Sequence, residues 1–107
     1  MQTEILVTGG TGMVGRHLKE LLPNATYVGS EYDLRSVQDV KAMFEHYRPK
    51  RVVHLAAKVG GIMDNINKPV QFFEDNLLIN TNTLSEAYVF GVERFIAILS
   101  KIGRAHV

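Results

Sequence analysis

The chain has 107 residues, 46% of them hydrophobic and 21% charged, which fits about one small globular domain and excludes a largely disordered or low-complexity protein. The absence of cysteine excludes disulfides, thiolate metal sites and a cysteine nucleophile, and a net charge of +1 without a basic stripe argues against nucleic acid as the main partner. Because no segment approaches the roughly 20 apolar residues of a membrane span, and no basic region opens a signal peptide, we expect a cytosolic protein without a membrane partner.

Apolar periodicity and turn residues predict strands and helices in alternation. In the last predicted helix, residues spaced three or four positions apart lie on one face: Val70, Phe73, Leu77, Thr81, Leu84 and Tyr88. Ser36 is predicted to cap the second helix. The predicted elements are, in chain order, strand 4–8, helix 12–22, strand 26–28, helix 37–48, strand 51–55, helix 69–91 and strand 94–99.

This alternation is typical of an α/β fold with a Rossmann-like, doubly wound parallel sheet. Right-handed crossovers predict the strand order 3-2-1-4, with the sheet truncated after strand 4. The crevice for a ligand is then expected between strands 1 and 4, where the order reverses. The four histidines are scattered along the sequence, so no metal site is predicted.

The junction of the first strand and first helix carries three glycines at three-residue intervals, Gly9, Gly12 and Gly15. Gly9 would permit a tight turn, Gly12 would let the backbone approach a pyrophosphate, and Gly15 would allow the helix to pack closely on the strand. An ordinary turn also uses glycines at positive φ. The position of the three glycines between a strand and a helix favours a nucleotide phosphate site over an ordinary turn.

Four segments together resemble the extended short-chain dehydrogenase/reductase family: Val7 to Gly15, Asp33-Leu34, His54 to Ile62 and Asn76 to Asn80. Within that family, Lys58 to Gly61 is similar to a branch of sugar-nucleotide epimerases/reductases. The resemblance implies an NADP(H)-dependent oxidoreductase/epimerase that acts on a nucleotide-sugar and forms a homodimer. A nucleotide-sugar 4-epimerase, a 4,6-dehydratase and a non-catalytic dinucleotide-binding module remain alternatives.

The resemblance also implies roles for individual residues. Asp33 and Leu34 would meet the adenine, although Asp33 also suits the amino end of the following helix. Lys58 would lie near the ribose and nicotinamide, or would be a solvated loop lysine. Ser100 would be the catalytic serine, or an ordinary serine at a strand end. The implied cofactor-binding residues are Gly9, Gly10, Thr11, Gly12, Met13, Val14, Gly15, Ser30, Asp33, Leu34, Ala56, Ala57 and Lys58.

The end of the second strand bears on the choice between NADP(H) and NAD(H). A carboxylate there binds the ribose 2′-hydroxyl and repels a 2′-phosphate. The small residues Gly29 and Ser30 leave room for a phosphate, Ser30 can donate to it, and Arg35 is close in sequence, whereas Glu31 favours NAD(H). Together with the resemblance, this predicts NADP(H), with NAD(H) as the alternative.

The family's Tyr-x-x-x-Lys pair, a proton donor and the lysine that lowers its pKa, is absent from this sequence. The resemblance ends at Ser100. The last six residues can be encoded by ATC GGA AGA GCA CAC GTC, the start of a sequencing adapter. We therefore expect residues 1–100 to be the amino-terminal part of an NAD(P)-binding domain, residues 101–107 to be a non-native tail, and the chain alone to be inactive. The apolar last strand would form an open edge, which favours marginal stability or dimerisation.

Overall fold

Strands and helices alternate through the described residues of a computed structural model, which are 3–9, 13–55 and 69–98. Each predicted element is present, close to its predicted bounds. The elements are β1 (Ile5–Thr8), α1 (Met13–Leu21), β2 (Thr26–Val28), α2 (Val37–Tyr47), β3 (Arg51–His54), α3 (Pro69–Val89) and β4 (Arg94–Ala97).

The strands form one parallel sheet, which confirms the predicted fold class. β1 pairs with β2 on one side, where Thr8 lies opposite Val28, and with β3 on the other, where Thr8 lies opposite His54. β4 pairs with β3 and lies at the edge of the described sheet, as expected for an open last strand.

The strand order is β2-β1-β3-β4, so the predicted order 3-2-1-4 is wrong. The rule of right-handed crossovers fixes the face on which a connecting helix lies, but it does not fix which neighbour the next strand takes. Leu6 and Val7 in β1 are both 0% exposed, which requires cover on both faces and suits a central strand. β2 has three residues, two of them only half-buried, and suits an edge. The order therefore reverses between β1 and β3, not between strands 1 and 4.

Most of the core lies between one face of the sheet and helices α2 and α3. Leu6, Val28 and Val52 of the strands pack there with residues of both helices. Phe44 of α2 is 0% exposed and stacks on Phe90, with ring centroids 5.8 Å apart. On the opposite face, the Tyr27 hydroxyl donates to the carbonyl of Leu22, just after α1, over 2.7 Å. Val7, whose side chain alternates with that of Leu6, is 0% exposed as well, so both faces of β1 are covered.

The ends of α2 follow from its sequence. Ser36 caps the amino terminus as predicted, because its hydroxyl accepts from the backbone N–H of Asp39. At the other end Arg48 adopts a left-handed conformation with φ 45°, and its N–H donates to the carbonyl of Phe44 over 2.8 Å. Pro49 follows, which stops the helix from continuing.

Helix α3 turns its apolar stripe outward. Phe73, Leu77 and Leu84 are 65%, 55% and 55% exposed. The buried side of the helix is more polar: Asp75, Ile79, Thr83, Glu86 and Ala87. Its polar groups have partners, since Thr83 donates to the Ile79 carbonyl over 2.7 Å and Glu86 accepts from Lys41 of α2 over 2.9 Å. None of the helices in the described part of the chain is both long and apolar enough to span a membrane.

Candidate dinucleotide site

The carboxyl ends of β1 and β3 lie side by side where the strand order reverses. The N–H of Leu55, just after β3, donates to the carbonyl of Thr8 over 3.0 Å. Gly9 follows Thr8 directly, with φ 74°. This left-handed conformation is costly for a residue with a Cβ, so the chain makes its predicted tight turn at a position that requires glycine. Ligands of doubly wound sheets bind outside such a reversal point.

Helix α1 begins at Met13, four residues after Gly9, and leads away from this edge of the sheet. Its first backbone N–H groups lack partners within the helix, and its dipole favours an anion at that end. Gly15 is buried, as expected for a glycine at the contact of helix and strand, whereas Val14 is 55% exposed. The described part of the motif therefore fits a phosphate site.

The segment after β2 is built of local hydrogen bonds. The Glu31 carboxylate accepts from the N–H of Gly29 over 2.5 Å, and Ser30 between them is exposed. The Asp33 carboxylate accepts from the backbone and the side chain of Arg35, each over 3.0 Å. Arg35 also lies 3.6 Å from the carboxylate of Asp75. Its guanidinium is thus held between two carboxylates, which makes it a poor candidate for a 2′-phosphate ligand.

Leu34 belongs to the core and is 8% exposed, so it anchors this segment more than it offers an open apolar surface to adenine. Asn82 of α3 donates to the carbonyls of Leu34 and Arg35, both over 3.1 Å. Sequence reasoning missed Asp75 and Asn82 as supports of this segment. Polar residues seven positions apart on one side of a long helix were the available signal.

A buried hydrogen-bond chain joins the two strand ends to α3, and sequence reasoning missed it as well. His54 Nδ1 lies 2.6 Å from the Thr8 hydroxyl, and Nε2 lies 2.8 Å from Asn80 Oδ1. Burial lowers the pKa of His54 below its ordinary value, and the hydrogen bond to Asn80 opposes that shift in part. A histidine that ends an apolar strand was the signal in the sequence.

The other predicted site residues lie outside the described residues: Gly10, Thr11, Gly12, Ala56, Ala57, Lys58 and Ser100. Met13 is the first residue of α1. The structure therefore places Gly9 at the reversal point, Gly15 in the first turn of α1, and Ser30 and Asp33 after the neighbouring strand β2. Within the described ranges no cluster of acidic residues or histidines forms a metal site.

Known proteins similar to this chain include nucleotide-sugar enzymes. A probable GDP-L-fucose synthase from Drosophila melanogaster is 37% identical over 91% of this chain and 33% of its own length. A GDP-L-fucose synthetase from Naegleria fowleri, solved with NADP bound, is 43% identical with a TM-score of 0.78, over 92% of this chain and 34% of that one. A UDP-glucose 4-epimerase from Thermus thermophilus, solved with NAD, is 30% identical with a TM-score of 0.72, over 89% of this chain and 36% of that one.

The chain thus spans about a third of the length of the curated relatives it matches. A model of the NAD dependent epimerase/dehydratase family matches residues 5–102, nearly the whole chain. This match covers the β1–Gly9 turn, both strand ends at the reversal point and all of α3. The chain belongs to the NAD dependent epimerase/dehydratase family.

Proposed function

We propose that the chain is the cofactor-binding part of an NADP(H)-dependent nucleotide-sugar epimerase/reductase, whose whole form converts GDP-4-keto-6-deoxy-mannose to GDP-L-fucose. The observation that carries the proposal is Gly9 at φ 74°, between the end of β1 and helix α1, beside the carboxyl end of β3. The relatives named GDP-L-fucose synthase support the choice of substrate, and the NADP-bound relative supports the choice of cofactor.

In this proposal most of the predicted residues keep a role, whereas Leu34 supports the segment from the core. Gly9 to Gly15 bind the pyrophosphate with backbone N–H groups, and Asp33 accepts from the exocyclic amine of adenine through a carboxylate that is 49% exposed. Ala56, Ala57 and Lys58 line the ribose and nicotinamide, and Ser100 donates to the keto oxygen of the substrate. The cofactor, when bound, supplies a hydride to the C4 keto carbon.

The proton donor of the reaction would be a tyrosine with a lysine four residues later, and this sequence of 107 residues has no such pair. We therefore propose that the chain binds the cofactor but does not complete the reaction by itself. That residues 101–107 are a non-native tail remains a prediction, as do the homodimer and the cytosolic location.

NADP(H) is favoured over NAD(H) by the segment after β2. Ser30 is exposed there, and its small side chain leaves space for a 2′-phosphate. The Glu31 carboxylate accepts from the N–H of Gly29, which directs one of its oxygens toward the backbone of its own segment. We expect NADPH to bind more tightly than NADH.

The test is a titration of the chain with NADPH and with NADH, in which binding is measured by fluorescence or calorimetry. Gly9→Ala is the informative variant and Gly91→Ala its matched control, because both glycines have φ 74° and a Cβ at Gly91 would meet nothing within 4 Å. Gly91 lies just before β4, near the amino end of that strand, whereas Gly9 lies at the carboxyl end of β1. Each substitution is expected to cost about 1–2 kcal/mol of stability.

Only Gly9→Ala is expected to weaken dinucleotide binding, by about tenfold, because a displaced turn moves the N–H donors away from the phosphate. A wild-type chain that binds neither dinucleotide would overturn the proposal. Equal losses of affinity in the two variants would show that binding follows stability alone. A preference for NADH would favour the alternative of a nucleotide-sugar 4-epimerase, to which the NAD-bound relative points.

A further inference from the structure

His54 lies at the centre of a hydrogen-bond chain that crosses three elements. Thr8 ends β1, His54 ends β3, and Asn80 lies in the middle of α3. The two bonds of the ring are 2.6 Å and 2.8 Å long. Thr8 is 0% exposed and His54 is 2% exposed, so the bond between them is shielded from water, whereas Asn80 is half-buried.

The partners determine the tautomer of the ring. Asn80 Oδ1 can only accept a hydrogen bond, so the proton of the neutral imidazole belongs on Nε2. Nδ1 then accepts from the Thr8 hydroxyl. The described contacts of the ring are Thr8 from β1, Asn80 from α3 and the Phe95 ring of β4 at 5.7 Å, all of them uncharged. A second proton on the ring would therefore be a buried charge without a counter-ion.

The chain of bonds sits where the proposed cofactor-binding segments leave the sheet. Gly9 follows Thr8 directly, and Leu55 with the run Ala56 to Lys58 follows His54. A shift of the end of β1 would move Gly9, and a shift of the end of β3 would move Leu55 and the run after it. The bond between Thr8 and His54 couples the two shifts. Position errors of about 1 Å at binding groups are costly, because hydrogen-bond geometry at the phosphate is strict.

We propose that His54, held in one tautomer by Thr8 and Asn80, is a positioning residue for dinucleotide binding, which aligns the ends of β1 and β3 with α3. The inference rests on the proposed function of the chain. If the network served only the stability of the fold, its variants would lower the free energy of unfolding and leave the affinity of the folded chain unchanged.

The first experiment reads the ring directly. Nitrogen-15 NMR of the wild-type chain at neutral pH is expected to show His54 with its proton on Nε2 and a bare Nδ1. A ring that carries its proton on Nδ1, or that is charged at neutral pH, would refute the proposed network. This measurement does not depend on any dinucleotide.

The second experiment compares Thr8→Val with Thr8→Ser. Valine has nearly the shape of threonine but no hydroxyl, so the bond to Nδ1 is lost, whereas serine retains it. Under conditions where both variants are folded, Thr8→Val is expected to raise the Kd for NADPH by roughly threefold to tenfold, the equivalent of one hydrogen bond. Thr8→Ser is expected to stay near the wild-type Kd. An unchanged Kd in Thr8→Val would overturn the proposal.

The third experiment follows the Kd for NADPH as a function of pH. Affinity is expected to fall once His54 takes up its second proton. Asn80→Asp places a carboxylate beside Nε2, which favours the charged ring and should move that fall upward by about 1 pH unit or more. His46→Gln, at an exposed position on α2, should leave the profile unchanged.

An identical pH profile in wild type and Asn80→Asp would contradict the positioning role. A wild-type chain that binds no dinucleotide refutes the proposed function together with the positioning role, while the NMR tautomer still reports whether the network exists. A chain that binds NADPH with equal affinity in all the Thr8 and Asn80 variants refutes the positioning role alone.

Discussion

Two residues of α3, two positions apart, should lose very different amounts of stability when each is truncated to alanine. Ile79 is 8% exposed and belongs to the core with Leu34, Val40 and Phe44. Ile79→Ala removes buried methyl and methylene groups and leaves a cavity, at an expected cost of about 3 kcal/mol. Leu77 is 55% exposed on the outward stripe. Leu77→Ala is expected to cost about 0.5 kcal/mol or less, because most of the side chain is already in water.

The assay is urea unfolding followed by circular dichroism, with all proteins at the same concentration. With a slope of about 1.5 kcal/mol per M, the Ile79→Ala midpoint should fall by roughly 2 M, and the Leu77→Ala midpoint by about 0.3 M or less. A repeat at several chain concentrations separates packing within the chain from self-association through the exposed stripe. Equal losses for the two variants at low concentration would show that the outward stripe is part of the core, and the described orientation of α3 would be refuted.

Three further predictions concern pH, backbone strain and the open edge. Burial lowers the pKa of His54 in the folded chain below its ordinary value of 6.5, so as the pH falls the unfolded chain takes up the proton before the folded chain does. The free energy of unfolding should therefore be highest above pH 6.5. Below pH 6.5 it should fall by up to about 1.4 kcal/mol per pH unit, until the pKa of the folded chain is reached. Urea unfolding over this range should show a slope that His54→Gln removes. Arg48→Gly should raise the melting temperature, by an amount equivalent to about 1 kcal/mol, since Arg48 has φ 45°; an unchanged or lower melting temperature would contradict the strain. Ile96→Lys, at a β4 position that is 47% exposed, should reduce self-association in sedimentation velocity; a wild-type chain that is already a clean monomer would contradict this.

The local elements were predictable because their signals are local. Pro69 at the start of α3, Ser36 before α2 and Pro49 after it act on the adjacent backbone alone, and the structure has α3 begin at Pro69 and α2 begin after its Ser36 cap. The turn at Gly9 was predictable for the same reason. A glycine between a strand and a helix indicates a left-handed backbone, and its φ of 74° confirms the turn.

The polar supports of the site were not predictable in this way. Asp75 and Asn82 contact a segment 40 or more positions away, and Asn80 contacts His54 across 26 positions. Nothing adjacent to these residues in the sequence indicates their partners. Their contacts exist because α3 packs over the sheet beside α2, which brings its polar side to the ends of the strands.

By itself the sequence determined the alternation of strands and helices, the parallel α/β class and the glycine turn after β1, since each depends on the chemistry of a few consecutive residues. The tertiary structure decided which strand lies next to β1, which side of α3 is buried and which groups surround His54. These depend on how each element covers its apolar surface against others distant in sequence, and handedness and periodicity are compatible with more than one such arrangement.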